Sequence, residues 1–322
     1  MTVAEQLMPA RDAQYQAALE ALGQYLARQH YAFITPTPLT HQRNLDRQPG
    51  PAVDLRGAFG WNRPFAPGLL PEALLAQLQA AEVLVVDTPG FWRSQVRCST
   101  LGTQRLLHSG YPTDAPDAVF FGPDTYRFAR CIETHLAQRN APVARAVDIG
   151  CGSGAGAVVI ASACPQAQVW GTDINAKALA FTAVNARLAG TGNVRVQASD
   201  VLKALPGEFD LIVANPPYMQ DPKGRAYRDG GSGMGSGLSL RILAEALERL
   251  APGGTLLLYT GVAIVEGRDP FLASARQHLE GFSGTWHYQE LDPDVFGEDL
   301  ELPGYAQAER IAVVLLEVTR AG

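Results

Sequence analysis

The stretch that decides the fold runs from Phe209 to Tyr218 and reads FDLIVANPPY. Its first six residues, Phe209 to Ala214, form a mostly apolar run that predicts a strand buried on both faces. The two prolines after Asn215 cannot continue a parallel strand, because each lacks a ladder donor and has a fixed φ. The strand therefore ends abruptly and presents an amide and an aromatic ring at its carboxyl end, where open α/β sheets bind ligands.

A strand, a glycine-rich turn and a helix precede this stretch. Ala144 to Asp148 predicts a strand that ends in an acid, and a helix rich in alanine and valine extends to about Ala163. Residues 150–156 between them read GCGSGAG, and such glycines allow positive φ and close approach of the backbone to a ligand. Amides at the start of a helix also favour a negative group such as a carboxylate. Alone, this turn does not distinguish between classes of nucleotide.

Two further predicted strands are followed by acids. Residues 169–172 predict a strand that Asp173 ends, and residues 194–197 predict another that Asp200 follows closely. The carboxylate of Asp173 can accept both hydroxyls of an adenosine ribose, although sites for nicotinamide dinucleotides also place an acid there. Asp200 can accept a hydrogen bond from an adenine amino group, or it caps the turn before Val201.

The polar ends of four predicted strands thus meet at one edge of the sheet: Asp148, Asp173, Asp200 and Asn215. This arrangement resembles the class I S-adenosylmethionine-dependent methyltransferases. VDIGCGSGAG is similar to their first motif, GTDIN to their ribose motif, and NPPY to the motif of the branch that methylates amino groups. The resemblance covers roughly residues 118–318. It implies a seven-stranded, mostly parallel, Rossmann-like methyltransferase sheet and S-adenosylmethionine as the cofactor.

The resemblance also assigns roles to individual residues. The catalytic set comprises Asn215, Pro216, Pro217 and Tyr218. The cofactor-binding set comprises Asp148, Gly150, Cys151, Gly152, Gly154, Asp173, Ile174, Asp200, Val201 and Asn215. The amide oxygen of Asn215 and the carbonyl of Pro216 can accept hydrogen bonds from an amino group as it is methylated, and Tyr218 can stack on a planar acceptor. No metal is expected.

A closer resemblance is to the release-factor glutamine methyltransferases. Residues 226–243, AYRDGGSGMGSGLSLRIL, are similar to the acidic, glycine-containing segment that follows NPPY in that family. Residues 120–129, FFGPDTYRFA, stand where the family has a proline-containing segment, but they lack its usual Pro-Arg-Pro-Glu-Thr-Glu pattern. The amino-methyltransferase chemistry therefore carries over but the release factor as substrate does not, and the expected acceptor is a protein glutamine amide or a ribosomal RNA base. The alternatives are a methyltransferase for small metabolites, a nicotinamide-dependent oxidoreductase and a non-catalytic RNA-binding module.

We expect the N-terminal third of the chain to form a separate, smaller domain. Residues 1–118 are expected to form an α+β domain that recognises the substrate, and residues 119–322 the cofactor domain. Residues 34–64 are rich in proline, glycine and asparagine and are expected to be mostly loop. The other predicted elements are helices over 3–29 and 70–81, a strand over 82–86, and a hairpin of 95–101 with 105–109.

Arginines alternate with aromatic residues in this N-terminal part. The arginines are Arg43, Arg47, Arg56, Arg63, Arg93, Arg97 and Arg105, and the aromatics are Trp61, Phe65, Phe91 and Trp92. This pattern is compatible with a platform for nucleic acid. We favour the alternative, a small core beneath a solvated arginine surface.

The C-terminal part completes the sheet. Its predicted helices cover 239–250 and 269–279, and its predicted strands cover 255–260, 284–291 and 311–319, the last two as an antiparallel pair. Residues 292–305 carry five acids without regular ligand spacing, so we expect a solvated loop rather than a metal site. A long loop of this kind could also flank the substrate cleft.

Composition narrows the possible partners and location. The chain has 322 residues and a net charge of −6, which argues against a general nucleic-acid coat protein. Its four cysteines have neither metal-site nor paired spacing, which favours a reduced cytoplasm. No apolar run is long enough to span a bilayer, and the N-terminus lacks the pattern of a secretory signal. We therefore expect a cytoplasmic enzyme with a macromolecular amino acceptor, protein or RNA, and no membrane partner.

Overall fold

The computed structural model describes residues 3–221, 225 and 227–322, with side chains from residue 12 onward. Ala226, the first residue of the segment that resembles the release-factor family, lies outside the described residues. The N-terminal third contains helices α1 to α4 and strands β1 to β4. In chain order they are α1 (Val3–Arg28), α2 (Pro38–Arg47), α3 (Leu55–Phe59), α4 (Glu72–Ala80), β1 (Leu84–Thr88), β2 (Phe91–Ser94), β3 (Val96–Leu101) and β4 (Gln104–Ser109).

The rest of the chain alternates helices and strands around one sheet. The elements are α5 (Pro123–Gln138), β5 (Arg145–Ile149), α6 (Ala155–Ala163), β6 (Gln168–Asp173), α7 (Ala176–Leu188), β7 (Val194–Ala198), β8 (Phe209–Ala214), α8 (Gly237–Leu247), β9 (Leu250–Ile264), α9 (Pro270–Leu279), β10 (Gly284–Asp292) and β11 (Arg310–Arg320). The seven strands lie in the order β10-β11-β9-β8-β5-β6-β7. All pairs are parallel except the two that β11 makes. The predicted fold is therefore confirmed.

The strand order reverses between β5 and β8. After β5 the chain builds β6 and β7 on one side, and then returns to place β8 on the other. A crevice opens at such a switch point, outside the carboxyl ends of the strands. Ile149 of β5 pairs with Ala214 of β8, and these are the last residues of both strands. Gly150 and Asn215 consequently leave the sheet side by side.

Residues 34–64, predicted to be mostly loop, contain two helices that were not predicted, α2 and α3, which cover about half of the segment. The side chain of Thr37 caps α2 by accepting from the Thr40 amide at 3.3 Å. Pro38 occupies the first turn of α2, where its missing N–H costs nothing. Asp54 caps α3 in the same way, by accepting from the Gly57 amide at 2.6 Å. The residues that suggested loop are here the start signals of short helices.

Other boundaries also differ from the predictions. Helix α8 ends at Leu247 rather than at residue 250, and β9 begins at Leu250 and runs to Ile264, well beyond the predicted strand. Strand β2, which pairs antiparallel with β1, was not predicted. The predicted hairpin of β3 and β4 is confirmed. No helix within the described residues is long and apolar enough to cross a membrane.

The N-terminal core continues onto helix α7, which packs beside the seven-stranded sheet. Leu19, Leu22 and Phe65 share one cluster with Phe181 and Val184 of α7. Trp61 and Trp92 pack against the same cluster, so these aromatics belong to a core, as favoured. Arg97 departs from the expected solvated surface, since only 3% of it is exposed.

One buried amide fastens the two parts together. Asn185 of α7 accepts from the Leu107 amide of β4 at 2.9 Å and donates to the Leu107 carbonyl at 2.9 Å. Its amide nitrogen also donates to the Ser153 carbonyl at 2.8 Å. The side chain thereby acts as a strand partner for the hairpin and holds the glycine-rich turn.

Candidate active site

A cavity of about 460 Å³ opens at the switch point. It is lined by all the residues predicted for the site except Gly154, including the strand ends Asp148, Asp173, Asp200 and Asn215. Its volume lies within the range of cavities that hold one cofactor-sized ligand. The arrangement brings the glycine-rich turn and the NPPY residues into one cleft.

The glycine-rich turn needs left-handed backbone. Gly150 has φ 66° and Gly152 has φ 52°, values that side chains with a Cβ rarely adopt. Gly154 has φ 80°, and a Cβ there would lie 2.9 Å from the Thr182 methyl group. Gly154 therefore permits close packing of the turn on α7, whereas Gly150 and Gly152 present backbone to the cavity.

Asp173 is held by the backbone around it. Its carboxylate accepts from the Gly152 amide at 3.1 Å and from the Asn175 amide at 2.9 Å. Burial raises the pKa of Asp173, although these amides oppose the shift. An ionised carboxylate offers about four acceptor positions, so acceptor capacity remains for hydroxyl donors. The next residue, Ile174, is 71% exposed and lines the cavity, which provides an apolar surface beside the acid.

Asp148 is the most deeply buried acid at this edge, with 2% of its surface exposed. Burial and, to a smaller extent, the charge of Asp173 raise its pKa to about 7, while the Ala157 amide opposes the shift. That amide, in the first turn of α6, donates to the Asp148 carboxylate at 2.9 Å. The negative group expected at the start of this helix is therefore supplied by the chain itself.

Cys151 has a packing role. It is buried, and its sulfur accepts a hydrogen bond from the Thr182 hydroxyl at 3.2 Å. Burial raises the pKa of the thiol well above its usual range, with Asp173 and Asp148 adding to the shift. A thiol of this kind stays protonated and is unsuited to act as a nucleophile.

Asp200 lies in the cavity wall but is already paired. Its carboxylate contacts the Lys203 ammonium at 2.5 Å and the Arg241 guanidinium at 2.5 Å. The hydrogen bond from Lys203 is the main reason that its pKa is lowered. The neighbouring Val201 is buried with φ 54°, a strained conformation for a β-branched residue. Such strain is concentrated at functional sites, and here it lies in the cavity lining.

The NPPY residues form the opposite wall. Asn215 is half-buried and makes no side-chain hydrogen bond with any residue that the structure describes. Pro216 is buried beside it, and both line the cavity. An amide at the edge of a cleft with unused hydrogen-bonding capacity is suited to bind a ligand.

Tyr218 is fixed from three sides, a feature that its sequence position did not indicate. A Cβ at Gly261 of β9 would lie 2.3 Å from the tyrosine ring, so the ring rests directly on that glycine. Phe296 contacts the ring edge-on, with centroids 6.1 Å apart. The hydroxyl donates to the buried carboxylate of Asp124 at 2.9 Å. Tyr218 lines the cavity and is otherwise buried.

The far end of the cavity is built by residues that were not predicted. Tyr111 and Thr113, from the N-terminal part, lie opposite Tyr227, which follows the NPPY strand. The Tyr227 hydroxyl donates to the Thr113 carbonyl at 2.7 Å, and its ring stacks on Phe120 with centroids 5.8 Å apart. The sequence signals for these residues were the locations of Phe120 and Tyr227 in the two segments compared with the release-factor family. The N-terminal part therefore contributes directly to the cavity.

The acidic stretch 292–305 is folded rather than fully solvated, which corrects the expectation for two of its acids. Asp292 contacts Arg127 at 2.6 Å, and Asp299 is buried and paired with Arg228. Phe296 lines the cavity. This stretch therefore does flank the cleft.

Comparisons with known proteins agree with this architecture. Residues 129–264 match the family described as "Methyltransferase small domain". The chain is 38% identical over 190 residues to the release factor glutamine methyltransferase of Bordetella pertussis, a match that covers 54% of this chain and 68% of that protein. It is 38% identical over 165 residues to the Deinococcus radiodurans protein of that name, covering 48% and 55%. A third match, 46% identical over 85 residues, is the ribosomal RNA small subunit methyltransferase C of Actinobacillus succinogenes, covering 26% and 24%.

The fold, the cleft and these matches together define an S-adenosylmethionine-dependent methyltransferase. Within that class, the chain belongs to the small-domain family that includes the release factor glutamine methyltransferases. It spans about two thirds of the first of these relatives and about half of the second.

Proposed function

We propose that the cavity binds S-adenosylmethionine along the ends of β5 and β6, and that the methyl group passes to a planar amino nitrogen held at Asn215 and Pro216. The observation that carries this proposal is the pairing of Ile149 with Ala214, which places the glycine-rich turn beside the NPPY residues. Cofactor and acceptor can then meet in one cavity without any large movement of the sheet.

The residues present fit this cofactor. The remaining acceptor capacity of Asp173 suits the ribose hydroxyls, and Ile174 offers an apolar surface to the adenine ring. Asp148 lines the same cavity, and its carboxylate, when ionised, would attract the cationic amino group of the cofactor. When bound, the cofactor supplies an electrophilic methyl group on a positively charged sulfur.

Asn215 and Pro216 would act on the acceptor. The amide oxygen and the backbone carbonyl accept hydrogen bonds from the two N–H groups and favour loss of planarity at the nitrogen. As the acceptor nitrogen gains the methyl group, positive charge develops on it, and these oxygens stabilise that charge. Neither oxygen is a strong base, so the proton passes to solvent. Positioning supplies most of the acceleration.

A glutamine amide on a protein is the acceptor that we infer. The relatives from Bordetella and Deinococcus are release factor glutamine methyltransferases, and their matches extend over 190 and 165 residues. The shorter match to a ribosomal RNA methyltransferase supports an RNA base as the second candidate. Both acceptors are macromolecules that carry a planar amino group.

Cofactor binding is tested by calorimetric titration with S-adenosylhomocysteine, on the wild type and on Asp173→Ala. We expect binding by the wild type and a loss of about 50-fold in the variant, because two charge-assisted hydrogen bonds disappear. Asp12→Ala, an exposed acid on α1, is the matched control and should bind as the wild type does. Binding of NADH in place of S-adenosylhomocysteine would overturn the proposal.

The acceptor is tested by transfer of radiolabelled methyl groups. Purified release factor, small-subunit ribosomal RNA and a protein-free metabolite fraction are each incubated with enzyme and labelled S-adenosylmethionine. Label in the release factor, lost when its glutamines are replaced, is the expected result. Label in the RNA alone would mean that the acceptor is an RNA base and not a glutamine. Label in the metabolites alone would overturn the proposal of a macromolecular acceptor.

A further inference from the structure

A buried carboxylate lies behind the NPPY tyrosine. Asp124, in the first turn of α5, is 6% exposed and lines the cavity. It accepts from the Tyr218 hydroxyl at 2.9 Å and from the Tyr259 hydroxyl at 2.8 Å. Arg127, one turn further along the helix, contacts the same carboxylate at 3.2 Å. All three partners are donors.

The arrangement suits a carboxylate at this position. An asparagine has one acceptor oxygen and would turn its N–H group towards one of the three partners, whereas a carboxylate can accept from all of them. Arg127 also contacts Asp292 at 2.6 Å, so Asp124 is connected to the acidic stretch beside the cavity. Burial and the Asp124 charge both raise the pKa of Tyr218, which keeps its phenol protonated as a donor.

Packing alone does not account for this cluster. Burying a carboxylate costs several kcal/mol unless it is fully bonded, and apolar residues of similar volume often do as well. The cluster instead controls the one aromatic ring that ends the NPPY motif. The Gly261 backbone supports the ring and Asp124 anchors its hydroxyl, so neither the plane nor the depth of the ring is free to vary.

We propose that Asp124 is a positioning residue that acts through Tyr218, and this inference rests on the methyl transfer proposed above. The hydrogen bond holds the tyrosine ring in the wall of the acceptor site. It also makes the ring more electron-rich, because a phenol that donates to a carboxylate gains electron density. A ring of that kind attracts the positive charge that develops on the acceptor nitrogen.

The kinetic test compares Tyr218→Phe, Asp124→Asn and the double variant, with release factor as the acceptor. Each single variant should lower kcat about tenfold, because each removes the hydrogen bond that fixes the ring and enriches its electron density. The double variant should lose little more, because the two residues act as one unit. Tyr218→Phe should retain the wild-type affinity for S-adenosylhomocysteine. Independent effects that multiply to about a hundredfold in the double variant would overturn the proposal.

Tyr288→Phe is the matched control. Tyr288 also donates to a carboxylate, that of Asp269 at the start of α9, but neither residue lines the cavity. Its loss should lower the melting temperature and leave kcat unchanged. An equal fall in kcat for Tyr288→Phe and Tyr218→Phe would show a general stability effect and would contradict the specific role.

A second measurement does not depend on the acceptor. Fluorine NMR of protein labelled with 3-fluorotyrosine gives one resonance for each tyrosine, and Tyr218→Phe assigns the signal of interest. Asp124→Asn should shift that signal and leave the Tyr288 signal in place. An unmoved Tyr218 signal would overturn the positioning role. If the wild type methylates none of the acceptors, the proposed function is refuted. The fluorine spectrum would still show whether Asp124 positions Tyr218.

Discussion

The two ends of the cavity are built in different ways. At the cofactor end, side chains bond to backbone nearby in the sequence: Asp173 to an amide 2 residues away and to another 21 away, and Asp148 to one 9 away. At the acceptor end, Tyr218 bonds to Asp124 across 94 residues and Tyr227 to Thr113 across 114. These contacts of Asp148 and Asp173 thus span at most 21 residues, whereas the acceptor end exists only when distant segments meet.

This difference implies that mutations at the two ends should separate affinity from turnover. Changes near β5 and β6 should weaken cofactor binding, and changes around Tyr218 should slow transfer at saturating cofactor. The largest expected effect is at Asn215, which lies between the two ends.

Asn215→Ala should lower turnover by about 100-fold or more, since it removes the hydrogen-bond acceptor that we propose for the reacting amino group. Affinity for S-adenosylhomocysteine should stay within about tenfold of the wild type. Single-turnover kinetics and calorimetry measure the two quantities. Asn140→Ala, at an exposed loop position, is the control. Wild-type turnover in Asn215→Ala would remove its catalytic role.

Gly261→Ala should reduce turnover about 30-fold, which corresponds to roughly 2 kcal/mol. The new Cβ would meet the Tyr218 ring at 2.3 Å, so the ring must move towards the acceptor. Gly68→Ala, where a Cβ meets nothing within 4 Å, should have no effect on rate. If Gly261→Ala lost cofactor affinity and kept its rate, this would contradict the assignment of affinity to one end of the cavity and turnover to the other.

Asp148→Asn should lower affinity for S-adenosylhomocysteine about tenfold at pH 8, because the ionised carboxylate is missing. With the pKa of Asp148 near 7, the wild type should itself bind more weakly as the pH falls through 7. The variant should lack that dependence. Calorimetry between pH 6 and pH 8 measures both curves, and parallel curves would contradict the assignment.

The same variant should change stability in the opposite sense. The folded pKa of Asp148, about 7, lies above its ordinary 3.8, so the fold binds this proton more tightly than the unfolded chain does. The resulting stability is fully present below pH 3.8 and is lost as the pH rises through about 7. Urea unfolding at pH 8 should therefore show Asp148→Asn to be more stable than the wild type, on the order of 2 kcal/mol.

Asp200→Ala should have the smallest effect, about threefold in cofactor affinity. Its carboxylate is engaged by Lys203 and Arg241, so a ligand amino group must share it with two cations. Titration with S-adenosylhomocysteine measures the change. A loss as large as that expected for Asp173→Ala would mean that the ion pairs open when the cofactor binds.

Prediction from sequence succeeded for features that are determined by residues close together in the chain. Strand ends, glycine turns and the abrupt stop before Pro216 each follow from a few neighbouring residues. The structure adds the contacts between residues that are far apart in the chain. Nothing near Tyr218 indicates that Asp124 and Gly261 would hold it, and proline and asparagine in residues 34–64 concealed two capped helices because those residues serve loops and helix starts alike.

The hydrogen bonds of Asn185 limit where the chain can be divided into separate fragments. Excision at the boundary between residues 118 and 119 would leave its buried amide without Leu107, and would expose Phe181 and Val184 of α7 to water. The shortened protein would display an apolar helix face beside an unpaired donor and acceptor, a combination that promotes aggregation. Evolution by exchange of N-terminal segments would face the same constraint, since any replacement must offer a strand edge to that amide.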